Sequence, residues 1–241
     1  MQACFTLPAN VHLAFCDRCM IFFDATADRY SFLSSEDAEL IMPLIAIEQD
    51  GPVAGLSTPP PTPAPAPAEA LAVAADLEAQ GLLVAGLGGK RFQRWLYTQP
   101  LKELPRRIGP RSDLLAFRDV LRLLWCATAA KAMLKALTLD AIIARVGRWK
   151  REAPPCADWP RFVDQLELYK RIRPLIYRKG GNCLFDTLCM ILFFKDHLSE
   201  ISWRFGVRLR PFRAHAWLER DNALLDDEAA TVHDYEVIME V

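Results

Sequence analysis

Residues 180–188 read GGNCLFDTL, residues 210–219 read RPFRAHAWLE, and residues 224–227 read LLDD. In this stretch a cysteine opens an apolar helix, a histidine lies in a short strand, and an acid ends the next strand. A Cys-His-Asp nucleophile needs a thiol, an imidazole and a carboxyl group in contact with one another. The stretch therefore predicts a helix packed on an antiparallel sheet, with a candidate catalytic site where they meet.

Cys183 is the candidate nucleophile, because the turn at residues 180–182 places it in the first turn of a helix. Free N–H groups and the helix dipole favour an anion there, and the thiolate is the reactive form of cysteine. The same helix end can offer the Cys183 backbone N–H to an oxyanion. Asn182 is the candidate for a second oxyanion donor.

His215 is the candidate general base, and the residues around it predict a strand. Alternation along residues 214–219 places His215, Trp217 and Glu219 on one face. Small alanines flank the imidazole and leave space for a substrate.

The acid that would orient His215 remains open between Asp226 and Asp227. A two-residue turn at residues 221–222 would pair His215 with Glu228 and place Asp226 on the face of the histidine. A three-residue loop, with Asn222 in the left-handed conformation, would pair His215 directly with Asp227.

Upstream of this stretch, the composition predicts two domains, 1–98 and 99–241. Residues 1–100 carry 11 acids and 5 bases, and the remainder carries 19 acids and 24 bases. Seven of the sixteen residues from 52 to 67 are proline, which predicts an extended excursion in the first domain.

The first domain has the pattern of a winged helix. Residues 10–33 predict a three-stranded antiparallel meander, and Ser34 is expected to cap a helix to about Ile47. A helix over 69–83 and two short arms, 83–86 and 91–92, complete the pattern. In the second domain, helices are expected from a Ser112 cap to Leu137, from Thr138 to Lys150, from Asp158 to Tyr177 and from Cys183 to about His197. Strands are expected over 203–209, 214–220, 223–226 and 235–239.

Charge and cysteine content restrict the partners and the compartment. The net charge is −1. The helix over 69–83, which would be the recognition helix of a winged helix, carries Glu69, Asp76 and Glu78, and these acids argue against nucleic acid as a partner. No membrane-spanning or secretory segment is predicted. Seven cysteines without disulfide-framework spacing favour the cytoplasm. Cys16 and Cys19 have metal-ligand spacing but no second pair, so no metal site is predicted.

The C-terminal motifs resemble those of the B proteins of lasso peptide biosynthesis, which are transglutaminase-like and papain-like cysteine peptidases. The resemblance rests on Cys183-Leu184 before an apolar helix, on Pro211-Phe212-x-Ala214-His215-Ala216-Trp217, and on Asp227 twelve residues after the histidine. It implies that Cys183, His215 and Asp227 are catalytic and that a leader peptide is removed from a ribosomally made precursor. It also chooses Asp227, and with it the three-residue loop.

The resemblance further implies an α+β protein, with a winged-helix-like peptide-recognition domain before a papain/transglutaminase-like domain of helices and antiparallel sheet. Tyr30, Phe32 and Leu77 are the candidate leader-binding residues. The implied partner is a lasso cyclase of the asparagine-synthetase type, which would use ATP, whereas no cofactor is expected in this chain. Two other functions stay open, namely acyl transfer by the same triad and presentation of the precursor without catalysis.

Overall fold

A computed structural model describes residues 4–48, 67–95, 102–104, 117–155 and 158–241, and the chain divides into two compact units, Met1–Leu96 and Tyr97–Val241. Several sequence predictions lie outside the described residues. They are the 98/99 boundary, residues 52–66 of the proline-rich excursion, and the Ser112 cap.

The first unit begins with the predicted three-stranded antiparallel meander. After a short β1 (Phe5–Thr6), strands β2 (Val11–Cys16), β3 (Cys19–Asp24) and β4 (Arg29–Leu33) pair in sequence order. Asp17 and Arg18 both have positive φ angles, which the tight turn between β2 and β3 requires. Strand β3 is the middle strand of this sheet, and its central residues are buried.

Helix α1 (Ser35–Ile41) begins as predicted, since the Ser34 hydroxyl accepts a hydrogen bond from the Asp37 N–H at 3.1 Å. Its predicted extension to Ile47 is wrong. A 3-10 turn, Met42–Leu44, contains Pro43 and ends the helical segment. Ile45 and Ile47 then form isolated bridges with Phe5 and Phe92.

Helix α2 (Ala68–Ala79) ends before Gly81, whose positive φ angle stops the helix short of the predicted residue 83. The prediction of a wing with two arms is also wrong in its pairing. Strand β5 (Val84–Ala85) pairs with β1, and Phe92 bridges Ile47. Such short, non-local pairings leave little periodicity in the sequence.

One apolar core holds the first unit together. It combines side chains of the meander, of α1, of α2 and of the short strands, including Phe5, Phe22, Ile41, Leu77 and Phe92. Leu77 is only 4% exposed, and with Ala70 and Ala74 it forms the face of α2 that packs on the core.

Before the main strands of its sheet, the described part of the second unit contains four helices. They are α3 (Phe117–Ala136), α4 (Leu139–Glu152), α5 (Trp159–Ile176) and α6 (Cys183–Phe193). Asp158 caps α5 through its carboxylate, which accepts from the Arg161 N–H at 3.0 Å. Helix α6 is shorter than predicted, and a separate 3-10 segment, Lys195–Glu200, follows it.

A five-stranded sheet completes the second unit. Its members are β6 (Lys102–Glu103), β7 (Ser202–Arg208), β8 (Arg213–Arg220), β9 (Ala223–Leu224) and β10 (Glu236–Glu240), and helix α7 (Ala229–Val232) precedes the last strand. The order is β10-β7-β8-β9-β6, antiparallel except for the β6–β9 pair. The prediction that β9 would reach residue 226 is wrong, because its pairing ends at Leu224.

These elements confirm the prediction of mixed helices and antiparallel sheets. Among the described residues, no helix is both long enough and apolar enough to cross a membrane.

Candidate active site

Cys183 is the first residue of α6, the helix that packs against α3 and β8. Asn182 caps this helix, since its side-chain oxygen accepts a hydrogen bond from the Phe185 N–H at 3.0 Å. The Thr187 hydroxyl donates to the Cys183 carbonyl at 2.9 Å, and the buried Trp203 indole donates to Thr187 at 3.1 Å. The backbone that carries the thiol is therefore tied both to its own helix and to β7.

His215 lies on β8, and its imidazole contacts Asp227. The Nε2 atom lies 3.4 Å from Asp227 Oδ1, which leaves Nδ1 as the ring nitrogen available to the thiol. The ring is stacked with Trp217 at a centroid distance of 5.9 Å and packs against Tyr235 at 5.5 Å. Trp217 in turn donates to Glu219 at 3.2 Å, so His215, Trp217 and Glu219 share one face, as predicted.

Asp227 reaches His215 by a route that the sequence did not predict. The turn at Asp221 and Asn222 has two residues, both with positive φ, and pairs Arg220 with Ala223. The three-residue loop is therefore wrong. Leu225 still donates its N–H to Leu218, but the chain then bends away from the ladder, and this bend brings Asp227 to the imidazole.

Asp226, the alternative acid, faces other partners. It is paired with Arg173 of α5, and Lys179 Nζ lies 3.1 Å from its Oδ2 atom. The two neighbouring acids therefore differ in surroundings, because the Asp226 carboxylate is paired with Arg173 and Lys179, whereas Asp227 contacts both Lys179 and the imidazole.

The pKa values of the thiol and the imidazole move towards an ion pair. Burial would raise the pKa of Cys183, but hydrogen bonds from His215 and from the Ala216 and Leu184 N–H groups lower it overall. Burial would lower the pKa of His215, but contacts with Asp227 and Cys183 raise it to about 9. The arrangement therefore favours a thiolate beside an imidazolium near neutral pH.

The backbone N–H of Ala216 is a contact of the thiol that the sequence did not reveal. On β8, the backbone carbonyl of Leu218 points towards β9 and accepts a hydrogen bond from the Leu225 N–H. Backbone groups two residues apart on a strand point to the same side, so the Ala216 N–H points to this side as well. Since β9 ends at Leu224, it does not extend alongside Ala216. The Ala216 N–H is thus left to the Cys183 sulfur.

Lys179 is a second contact that the sequence did not reveal. It lies on the loop before α6, and its Nζ atom is 3.2 Å from Asp227 Oδ1. The next residue, Gly180, has a φ angle of +99° and donates its N–H to Asp186 at 2.9 Å. The 47-residue separation of Lys179 from Asp226 explains why local patterns gave no signal.

An open cleft of about 1350 Å³ lies in front of this group. Cys183 and His215 line it together with apolar side chains such as Met190 and Leu218, and Arg213 lies on its wall. The cleft has room for a peptide segment, and its mixed apolar and charged wall can contact both the backbone and the side chains of such a segment.

The candidate leader-binding residues lie in the first unit. Tyr30 is partly buried and stacks on Phe23 at 4.6 Å, whereas Phe32 is 52% exposed on β4. Leu77 is buried in the core. Of the three, Phe32 has the most exposed side chain and Leu77 contributes to the core, and the leader-binding role of all three stays a prediction.

Among the described residues, no group of three or more histidine, cysteine or acidic side chains is arranged to hold a metal ion. Cys16 and Cys19 lie opposite each other in the β2–β3 pair and are free thiols. Cys189 is buried in α6, and burial raises the pKa of its thiol.

Comparison with known protein families finds a match within the second unit. A family model described as the transglutaminase-like superfamily matches residues 120–240, which include α6, β8 and the acidic segment that follows β9. Searches against curated proteins and against solved structures found no match. The match covers half of the chain and all three of the contacting residues, Cys183, His215 and Asp227. The chain therefore belongs to the transglutaminase-like superfamily.

Proposed function

We propose that this protein is a cysteine peptidase that binds the leader of a ribosomally made lasso precursor peptide and removes it. The observation that carries the proposal is the contact series from Cys183 at the start of α6 to His215 and then to Asp227. The resemblance of the Pro-Phe-x-Ala-His-Ala-Trp string to the lasso B proteins supplies the choice of substrate. Membership of a superfamily that includes cysteine peptidases is consistent with this choice.

The proposed reaction begins with attack of the Cys183 thiolate on the carbonyl carbon of the scissile bond. The negative charge moves to the carbonyl oxygen, where the Cys183 backbone N–H at the helix N-terminus is the proposed donor. The His215 imidazolium then gives its proton to the departing amine, and the leader remains bound as a thioester. Water attacks the thioester while His215 takes its proton, which releases the leader acid and restores the thiolate.

Asp227 has the proposed role of orienting His215. Its contact with Nε2 leaves Nδ1 for the thiol and stabilises the imidazolium. Asn182 was a candidate for the oxyanion, and its side-chain oxygen caps α6 by accepting from the Phe185 N–H. Its amide N–H₂ group is the part that would donate to an oxyanion, so the two roles can be separated by substitution.

The first unit has the proposed role of binding the leader. Its meander ends in β4, and a peptide could add to such a strand through backbone hydrogen bonds. The exposed ring of Phe32 would then contact an apolar leader side chain, with Tyr30 on the same strand. The newly freed amino terminus would pass to a lasso cyclase of the asparagine-synthetase type, and ATP would be used there.

Acyl transfer is the second candidate function, because transglutaminases belong to the same superfamily. The thioester would be common to both reactions, and only the acceptor, water or an amine, would differ. Non-catalytic presentation of the precursor is a third possibility that predicts no dependence on the thiol.

The test is to incubate a precursor peptide with the wild-type protein and with Cys183→Ala, with and without the cyclase, and to measure the peptide masses. We expect separate leader and core masses with the wild-type protein alone or with the cyclase present, and an intact precursor with Cys183→Ala. An added primary amine that appears in the leader mass would favour acyl transfer. Cleavage that persists in Cys183→Ala would contradict the proposal.

A further inference from the structure

We propose that Lys179 is a positioning residue, which holds the Asp227 carboxylate against His215 and so sets the orientation of the imidazole. This inference rests on the proposed roles of Cys183 and His215. It assigns a role to a loop residue outside the triad, and it can be tested without a substrate.

The contacts of Lys179 form a clamp on the two adjacent acids, Asp226 and Asp227. Its ammonium group lies 3.2 Å from Asp227 Oδ1 and 3.1 Å from Asp226 Oδ2, and it also donates to the Asp226 backbone carbonyl. One cation therefore holds two adjacent side chains and the backbone between them. An ammonium group has three donors, so all three contacts can be made together.

Asp227 needs such a clamp because the sheet does not hold it. The β8–β9 ladder ends at Leu224, and Leu225 makes the last backbone hydrogen bond to β8. The contact between Asp227 and His215 is 3.4 Å long, beyond the usual range for an N–H···O hydrogen bond. That contact alone would leave the carboxylate free to turn away.

Lys179 is itself held in place through its loop. The neighbouring Gly180 N–H donates to Asp186, a residue of α6 that is only 8% exposed. Asn182 caps the same helix at the other end of the loop. The loop is thus fixed to the helix that carries Cys183, and this attachment fixes the position of Lys179 relative to the thiol.

Several charged groups face this clamp and contribute to its field. They come from α5, α6, β8 and the segment after β9, and they are Arg173, Cys183, Asp186, His215, Asp226 and Asp227. Burial raises the pKa of Asp227, but the His215 hydrogen bond and the Lys179 charge lower it overall. Lys179 therefore helps to keep the carboxylate ionised beside the imidazole.

Two opposite effects of Lys179 can be separated by the sign of a pKa change. If Lys179 positions Asp227, its removal frees the carboxylate to turn, so the imidazolium loses stabilisation and the pKa of His215 falls. If Lys179 only competes with His215 for the carboxylate, its removal strengthens the His215 contact and the pKa of His215 rises.

The experiment titrates His215 by NMR in the full-length protein and in Lys179→Met, with the resonance assigned by His215→Gln. We expect the pKa of His215 to fall by about one unit in Lys179→Met, equivalent to a tenfold weaker preference for the imidazolium. In parallel, the rate of Cys183 alkylation by iodoacetamide is followed against pH by peptide mass spectrometry. Its acidic limb should move to higher pH, because a thiolate without its imidazolium is less stable.

Two variants serve as controls. Lys179→Arg keeps the charge and should retain most of the wild-type His215 pKa. Lys195→Met removes a lysine outside the cleft, whose ammonium group lies 4.7 Å from the centre of the Trp149 ring, and it should leave both profiles unchanged. Should Lys179→Met fail to fold, Lys179→Gln takes its place with the same expected direction.

A pKa of His215 that stays constant or rises in the Lys179 variant would overturn the inference. Neither readout uses a peptide substrate, so a failed cleavage assay would count against the proposed function but leave these titrations interpretable. If the precursor is cleaved, Lys179→Met should lower kcat with little change in KM, because Lys179 acts on the triad rather than on substrate binding.

Discussion

Gly206 of β7 lies directly opposite His215 of β8 in the antiparallel pair. A methyl group at Gly206 would lie 2.6 Å from the Trp217 indole and 3.0 Å from the Tyr235 Cβ atom, and the rings of both residues pack against the imidazole. The missing side chain therefore leaves the space in which the aromatic neighbours of His215 are packed.

Gly206→Ala should destabilise the fold and misplace His215. Overpacking of a buried site costs about 1–3 kcal/mol, and here the nearest atoms belong to a large, fully buried indole. We expect a lower free energy of unfolding in urea and slower alkylation of Cys183 at neutral pH. Gly147→Ala in α4 is the matched control, because its new methyl group would meet only ordinary contacts at 3.5 Å or more. A wild-type stability for Gly206→Ala would show that the indole moves aside without cost.

Asn182→Ala should weaken the start of α6. Loss of an N-cap side chain costs about 1 kcal/mol, and the freed end of the helix should stabilise the Cys183 thiolate less well. We expect a lower melting temperature and a higher thiol pKa in an alkylation profile.

Asn182→Ser separates capping from oxyanion binding. Serine can cap a helix but has no amide N–H₂ group to donate. If capping is the main role, Asn182→Ser should restore both the thiol pKa and the cleavage rate. A restored pKa with a rate that stays low would instead support Asn182 as an oxyanion donor.

Thr187 links the Cys183 backbone to the buried indole of Trp203. Thr187→Val should destabilise the protein by about 1–3 kcal/mol, because the indole N–H would be buried without an acceptor. Thr187→Ser should be close to wild type. In the Thr187→Val/Trp203→Phe double variant the unpaired donor is gone, so we expect the coupling energy in a double-mutant cycle to be clearly non-zero. Strictly additive losses would show that this hydrogen bond contributes little.

How far the sequence predicted the site depends on whether each residue belongs to a regular element. Cys183 and His215 were predicted because helix and strand periodicity are local, and the structure brings both together. The length of the turn at Asp221 and Asn222 was not predicted correctly, because both residues tolerate positive φ angles and either loop length is then allowed.

Residues that act through distant contacts left no local pattern. Lys179 lies in an irregular loop, and its partners come 47 and 48 residues later. Ala216 contributes a backbone N–H, which no side-chain pattern can reveal. In the first unit, Leu77 was named as a candidate leader-binding residue, and only the packing shows that its side chain belongs to the core.

Activity should depend on pH through the thiolate–imidazolium pair. At low pH the thiolate takes up a proton and activity should be lost. This loss should occur at a pH below the usual pKa of a cysteine thiol, because the pKa of Cys183 is lowered. At high pH the imidazolium is lost as the pH rises through about 9, the pKa of His215, and no acid remains for the departing amine. A profile of kcat/KM against pH should therefore fall above about pH 9. A rate that continues to rise there would show that His215 does not donate the proton.

The most direct test of the proposed nucleophile is to detect the thioester. The protein is mixed with a precursor peptide, quenched with acid within the first turnover, and its intact mass is measured. We predict that the wild-type protein gains the mass of the leader less one water, that hydroxylamine removes this mass, and that Cys183→Ala gains nothing. Release of the leader at the wild-type rate by Cys183→Ala would contradict the assignment of Cys183 as the nucleophile.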